Sequence, residues 1–254
     1  MDYIHTKKDD HILHILLDRG RSNAMDVRVI EELIQVLQEA QVDPSIEAIV
    51  LSGKEGFFSS GLDLITLFAY NEEEMRHFWT RFMQLLSVFV AFEKPSVAAI
   101  TGHSPAGGCV LALCCDYRVM AEGDYIMGLN EVPVGIVVPE SIFTLYSFWL
   151  GQGAAYRSLL EGRLFKPQEA LSIGLVDEVV PFDRIQISAI RRVKSVMQFE
   201  KNAWRKTKLN LRSELIRAMD RGQEEAVEQV LEQWWKPSTR DILKTIIHNL
   251  TQKR

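Results

Sequence analysis

Apolar positions follow two regimes along this chain. Up to about residue 180, short apolar runs alternate with stretches of helical spacing, and beyond about residue 183 only the helical spacing persists. Residues 11–17 (HILHILL), 46–51 (IEAIVL), 97–100 (VAAI), 116–121, 125–127 and 176–180 read as strands. Between the first two, Val27, Ile30, Leu33, Ile34 and Leu37 recur at helical intervals behind Asp26, an N-cap residue, and Asp43-Pro44 stops the run. A strand–helix–strand unit of this kind predicts parallel pairing. A second helix over 72–93 carries Met75, Phe78, Trp79, Phe82, Leu85, Leu86 and Phe89 on one stripe, with Asn71 as cap and acids in its first turn. Its aromatics read as core. Pro139 opens a helix that Gly151 closes, and further helices start at Gln152 and Pro167.

The tail reads as four helices, over 183–197, 202–221, 224–235 and 239–250. Val227, Val230, Leu231, Trp234 and Trp235 form an apolar face expected to pack on the main domain or on a sister subunit rather than on a membrane. The chain shows no fixed-period repeat and no low-complexity linker.

The centre of the pattern lies at residues 95–139. There the apolar run 97–100 breaks abruptly into GHSPAGG at 102–108, and small apolar residues at helical spacing follow (Cys109, Leu111, Ala112, Leu113, Cys114). That order predicts a strand, a tight glycine turn and a buried helix. Glycines let backbone approach a ligand closely, and free N–H groups at a helix start attract negative charge. Residues 52–64, SGKEGFFSSGLDL, form a second turn-rich loop directly after a strand, where open α/β folds bind ligands. Its two phenylalanines predict that it is packed. Glu131 follows in GLNEVPVG, a carboxylate among Leu129, Val132 and Val134, whose apolar company is expected to raise its basicity.

Composition narrows the field. With 254 residues, 47% hydrophobic and 25% charged, the chain suits one large α/β domain with a helical appendage. A net charge of −5 and no dominant basic stripe argue against a nucleic-acid partner. No apolar run reaches the ~18 residues of a membrane span. The first residues, MDYIHTKKDDHILHI, carry acids early and lack a signal-like apolar stretch, so cytoplasm is the expected compartment, a processed organellar form being compatible. Cys109, Cys114 and Cys115 crowd one helix and read as core packing in a reducing compartment.

Several chemistries fall away. GHSPA at 102–106 has the shape of a serine nucleophile elbow, yet the oxyanion donor of that elbow is the N–H after the serine, and Pro105 has none. The only later histidine is His248. No phosphate loop, dinucleotide fingerprint or metal-ligand spacing is present, and His103 reads as a turn or core-edge residue.

What remains, two glycine loops after strands of one sheet plus an apolar-flanked acid, is the skeleton of enolate chemistry. FFSSGLDL at 57–64, ITGHSPAGGCVLALCCDYRVMAE at 100–122, GLNEVPVGI at 128–136 and GLVDEVVP at 174–181, in this order, resemble the crotonase (enoyl-CoA hydratase/isomerase) superfamily over essentially the whole chain. Within it, the Asn-Glu and the following Gly-Ile are most similar to mitochondrial-type Δ3,Δ2-enoyl-CoA isomerases. The resemblance implies an α/β crotonase-like fold (ClpP/crotonase), a spiral of ββα units, with a core over 1–195 and a helical region over 196–254 that serves packing and trimerisation. It implies an acyl-CoA thioester as substrate and itself calls for no cofactor and no metal. Leu62 and Gly107 would supply the oxyanion-hole N–H groups; Ser60, Gly61, Leu62, Asp63, Ala106, Gly107 and Asn130 would line the substrate. Glu131 would be the catalytic base, and the assembly a homotrimer or dimer of trimers. Hydratases of the family carry a second glutamate three residues past the oxyanion glycine, where this chain has Val110, so isomerisation is favoured over hydration. Glu140 is read as a complement to a helix N-terminus. The rival from another class is a catalytically silent acyl-CoA-binding subunit.

Overall fold

The computed structural model describes residues 1–252. The chain opens with β1 (Ile4–Asp9) and β2 (Ile12–Leu17), then α1 (Val27–Val42), β3 (Ala48–Ser52), β4 (Gly56–Phe57), α2 (Leu64–Phe68) and α3 (Glu72–Val90). It continues through β5 (Ser96–Ile100), β6 (Gly102–Pro105), α4 (Gly107–Cys114), β7 (Tyr117–Ala121), β8 (Met127–Gly128), α5 (Glu140–Leu150) and α6 (Gln152–Glu161). Then come β9 (Leu164–Phe165), α7 (Pro167–Ser172), β10 (Glu178–Val180), α8 (Ile185–Val196), α9 (Lys201–Leu211), α10 (Ser213–Asp220), α11 (Gln223–Trp234) and α12 (Pro237–Gln252).

Among the described residues, ten strands form two sheets. The larger has the order β1-β2-β3-β5-β7-β10 and is parallel except for the β1–β2 pair; the smaller has the order β4-β6-β8-β9, with β4, β6 and β8 parallel. From β3 to α5 each circuit therefore lays one strand in the large sheet, one in the small sheet, and at least one helix. Every residue of β3 and β5 is buried, as interior parallel strands require when both faces are covered. One face carries the main core with α1, α3 and α4; the other is closed by Ile185, Ala189 and Val193 of α8 over Val50, Val97 and Val119.

Three departures from the sequence pattern have local causes. β1 carries no apolar rhythm because only Ile4 is buried, and its register with β2 comes from a hairpin whose Asp10 takes φ 51°. Residues 102–105 are a strand rather than part of a turn. A Cβ on Gly102 would lie 2.1 Å from the Gly56 carbonyl carbon, so glycine there serves the close approach of β4 and β6. The helix expected over 202–221 is two, broken at Arg212. That guanidinium is buried and donates to the carbonyls of Cys114 (2.9 Å), Cys115 (3.1 Å) and Val90 (3.3 Å), groups at the ends of α4 and α3, while pairing with Asp116 at 3.1 Å. Lys208 joins it on Asp116 (2.8 Å), its ammonium pushed down to about 8 by burial.

The tail folds back on its own chain. α11 packs on α3 with Val227, Val230, Leu231 and Trp234 buried, and α12 reaches both α2 and the turn at Val132–Val134. The three cysteines are free and buried, as core packing predicts. Among the described residues, no helix is long and apolar enough to cross a membrane.

Candidate active site

The first glycine loop leaves β4 through Phe58, which is fully buried, and is then held almost entirely by the segment after β2. Ser59 Oγ donates to the Asn23 carbonyl (2.7 Å) and accepts from Gly61 N–H (3.1 Å). Ser60 N–H donates to the Ser22 carbonyl (2.8 Å), and the two serine hydroxyls sit 3.2 Å apart. Met25 N–H donates to the Gly61 carbonyl (2.8 Å) and its carbonyl accepts from Asp63 N–H (2.9 Å), a single parallel bridge centred on Leu62. Gly61 takes φ 85°, which L side chains rarely adopt. Asp63 caps α2 through Thr66 N–H (3.2 Å), and its other oxygen holds Arg19 (2.7 Å) and the Thr66 hydroxyl (2.6 Å). These donors hold the Asp63 carboxyl below the usual range against the opposing effect of burial.

The second loop is built on β6 and β8. Ala106 N–H donates to the Gly128 carbonyl (2.8 Å), and Ala106 takes φ 50°, ψ −127°, a strained conformation for a residue with a Cβ. α4 starts immediately after it. A Cβ on Gly108 would lie 2.3 Å from the Ser59 carbonyl oxygen, and one on Gly61 would lie 3.0 Å from Gly107 N, so the two loops touch backbone to backbone. Among the described residues, neither Leu62 N–H nor Gly107 N–H donates to a backbone carbonyl.

Glu131 arrives from the end of β8, three residues beyond Gly128, and opens a 3-10 turn over Val132–Val134 that Gly135 closes at φ 80°. Its carbonyl accepts from Val134 N–H (3.1 Å) and Ile136 N–H (2.9 Å). The residue is 9% exposed, and its Oε2 is buried with no partner. Burial pushes this carboxyl up to about 7. The Cys109 thiol and Tyr146 phenol are both raised, first by burial, and both feel the Glu131 charge. Tyr146 is fully buried with its hydroxyl unpaired. Val110 is buried on α4, and Glu140 is exposed as the first residue of α5, where its charge complements the helix start. An apolar groove of about 650 Å³ borders the turn, lined among others by Val132, Ile136, Phe143, Tyr156 and Leu160.

The structure thus brings Ser60, Gly61, Leu62, Ala106 and Gly107 into one cluster, and ties Ala106 to the strand that delivers Asn130 and Glu131. The side chain of Asp63 faces Arg19 instead. His103 is a β6 residue, edge-on to Tyr125 and tilted on Phe57. Residues 22–25 and the α12 pair Thr239 and Arg240 stand outside the sequence-predicted site. Thr239 Oγ1 donates to the Gly135 carbonyl (3.1 Å), and Arg240 donates to the Phe68 carbonyl (2.9 Å) at the end of α2. For residues 22–25 a signal existed, since they follow a strand of the same sheet as the glycine loops. Tyr146, Thr239 and Arg240 look in sequence like any helical residues. Among the described residues, no cluster of three His, Cys, Asp or Glu side chains suits a metal ion.

The family model for enoyl-CoA hydratase/isomerase matches residues 7–243. The chain belongs to that family. It is 40% identical to enoyl-CoA delta isomerase 1, mitochondrial, of Mus musculus over 169 residues, covering 66% of this chain and 58% of that protein. The Homo sapiens protein of the same name is 34% identical over 192 residues, covering 75% and 64% respectively. The chain thus spans about three fifths of the length of these curated relatives. The crystal structure of human mitochondrial Δ3-Δ2-enoyl-CoA isomerase superposes with a TM-score of 0.95 at 28% identity, covering 99% of both chains. The fold is that of the crotonases, as the spiral of paired strands and helices predicts.

Proposed function

We propose that this member of the enoyl-CoA hydratase/isomerase family converts 3-enoyl-CoA to trans-2-enoyl-CoA, with Glu131 as its single base. The observation that carries the reading is a buried carboxyl, poised near neutral and with one oxygen unpartnered, joined through β8 to two loops that each present a free N–H. Glu131 takes the proton from C2. The C–H electron pair becomes the C1–C2 double bond of an enolate, and the thioester oxygen gains the negative charge. Leu62 and Gly107 N–H groups stabilise that oxygen, each contributing about 3 kcal/mol. The carbonyl then re-forms, the C2–C3 double bond appears, and the former C3–C4 π pair takes the proton back from Glu131 at C4. Atoms and electrons balance within the substrate, so we assign no metal and no redox cofactor to the reaction. Ser60, Gly61, Asp63, Ala106 and Asn130 are assigned to the substrate's surroundings with the two donors, Asp63 through its backbone, since Arg19 and Thr66 hold its carboxylate.

Hydration of 2-enoyl-CoA is the second reading. It needs a second proton-transfer group beside Glu131, and Val110 supplies none. Assembly as a homotrimer or dimer of trimers in fatty acid degradation completes the proposal; exposed Phe148, Tyr156 and Leu160 on α5 and α6 offer apolar surface for it. The relatives named above are mitochondrial by name, and a processed organellar form fits this chain as well as a cytoplasmic one.

The test is turnover of a medium-chain 3-enoyl-CoA and, separately, of a trans-2-enoyl-CoA, by wild type and Glu131→Gln. Conjugated product from the first substrate is expected, reduced by about 10³-fold or more in the variant, with no water added to the second. Hydration of the second substrate would move the reading to a hydratase. Tight acyl-CoA binding with neither reaction would make the chain a silent binding subunit.

A further inference from the structure

We infer that Met25 is the positioning residue for both oxyanion donors, its peptide orienting Leu62 and its side chain setting where Gly107 stands. The inference rests on the oxyanion reading above. In a parallel bridge, one residue bonds to the two neighbours of the residue opposite it, and the opposed residue turns its own N–H and C=O the other way. Met25 does this to Leu62. Its N–H takes the Gly61 carbonyl and its carbonyl takes the Asp63 N–H, at 2.8 and 2.9 Å. Leu62 N–H is thereby directed away from Met25, and the Leu62 carbonyl is used by Leu64 N–H at 2.9 Å.

The same residue reaches the second donor through its side chain. Met25 is fully buried, and a Cβ on Gly107 would lie 2.8 Å from Met25 Cε and 3.4 Å from Leu62 Cδ2. The terminal methyl of Met25 therefore rests on the Gly107 backbone, on the flank where the Leu62 side chain also packs. The Met25 backbone is fixed in turn by Asn23, whose φ of 51° is sustained by its amide donating to the Phe58 carbonyl (3.1 Å) and accepting from Arg19 N–H (2.8 Å). An unbranched side chain is needed for this reach. Leucine has nearly the same volume but ends one bond short, so it would fill the core without touching Gly107.

That difference separates positioning from packing. Met25→Leu and Met25→Ala would be measured in the full chain for thermal midpoint, for kcat and KM on 3-enoyl-CoA, and for the carbonyl stretch of bound trans-2-enoyl-CoA labelled with ¹³C at the thioester. Met25→Leu is expected to melt within a few degrees of wild type, to lose part of the wild-type carbonyl shift, and to lose about 10-fold in kcat at nearly constant KM, as small misplacements of catalytic groups do. Met25→Ala should lose more of each. A shifted wild-type band that Met25→Leu leaves unchanged, with kcat intact, overturns the inference alone. A wild-type band unmoved from its position in solution overturns the oxyanion reading and this inference with it.

Discussion

The loops proposed as donors and the carboxyl proposed as base are held by opposite means. Around Leu62 and Gly107 nearly every other polar group has a partner: Ser59, Ser60, Gly61, Asp63 and Ala106 are each bonded to the segment after β2 or to β8. Around Glu131 the partners stop at the backbone, and the carboxyl oxygen Oε2 and the Tyr146 hydroxyl are both buried without one. A donor that must meet developing charge works best when fixed beforehand, because no reorganisation is then needed during reaction. A base near neutrality needs the reverse, since each hydrogen bond to its charged form would lower its basicity. Rigidity serves one half of this site and deprivation the other.

The donor half breaks most completely at Gly61. A methyl there would lie 3.0 Å from Gly107 N and 3.0 Å from Ala106 Cβ, in the space between the loops, and φ 85° adds backbone strain. Gly61→Ala is expected to lower kcat by about 10²–10³-fold, the cost of one oxyanion donor. Gly56→Ala is the control. Gly56 has the same φ of 85°, but nothing lies within 4 Å of its Cβ position, so it should lose similar stability, about 1–3 kcal/mol, and keep its kcat. Paired melts and steady-state rates separate strain from obstruction. Equal losses of kcat in both variants would mean that the first loop matters only for folding.

The donor half was also the more legible in sequence. Glycines 61, 107 and 108 announce themselves because a turn with close backbone contact admits little else, and Gly135 marks the end of the base's turn in the same way. Helix α1 declared itself through Asp26 and its apolar spacing. What stayed hidden depends on contacts distant in sequence. Met25 looks like any apolar residue before a cap until the bridge to Leu62 forms, and nothing local distinguishes Thr239, 104 residues from the carbonyl it holds. Likewise Arg212, which stands between α9 and α10, finds its three carbonyls only where the fold brings the ends of α3 and α4 to it. Local chemistry is written in residue types; long-range support is written in topology.

The base half should reveal itself through pH. With its carboxyl near 7, Glu131 is mostly protonated at pH 6, and on the proposed mechanism kcat/KM is expected to rise towards tenfold per pH unit on the acid side, levelling above a midpoint of about 7. The same shift has a cost in stability. The carboxyl's value rises on folding from 4.5 to about 7, so both states hold the proton below 4.5, and stability declines as pH climbs through 7 by roughly 3 kcal/mol. Glu131→Gln removes that decline. It should melt about 5–10 °C above wild type at pH 8 and show little or no gain at pH 4.5, while being almost inactive. A variant no more stable at pH 8 than at pH 5, relative to wild type, would mean that the carboxyl is solvated and its basicity ordinary.

The smallest expected effect tests whether the base's turn depends on the tail. Thr239 is buried; its hydroxyl donates to the Gly135 carbonyl and accepts from Gln233 Nε2 at 2.8 Å. Thr239→Val keeps the shape and removes both bonds, leaving two polar groups unsatisfied at a cost of about 1–3 kcal/mol. The Val132–Val134 turn would retain its internal bonds, Val134 and Ile136 N–H to the Glu131 carbonyl and Gly135 N–H to the Val132 carbonyl. If α12 holds that turn shut over the carboxyl, water gains access, the midpoint of the kcat/KM profile moves below 7, and kcat falls about 3–10-fold, a modest fraction of the base's 10²–10⁴-fold contribution. The bound thioester's carbonyl band should stay where wild type has it, because among the described residues the hydrogen bonds of Thr239 Oγ1 go to Gly135 and Gln233 and none to the donor loops. Thr239→Ser should restore both midpoint and rate. A wild-type profile in Thr239→Val, measured beside a lowered melting point, would assign the burial of Glu131 to α4 and α5 alone and leave the tail helix a purely structural part.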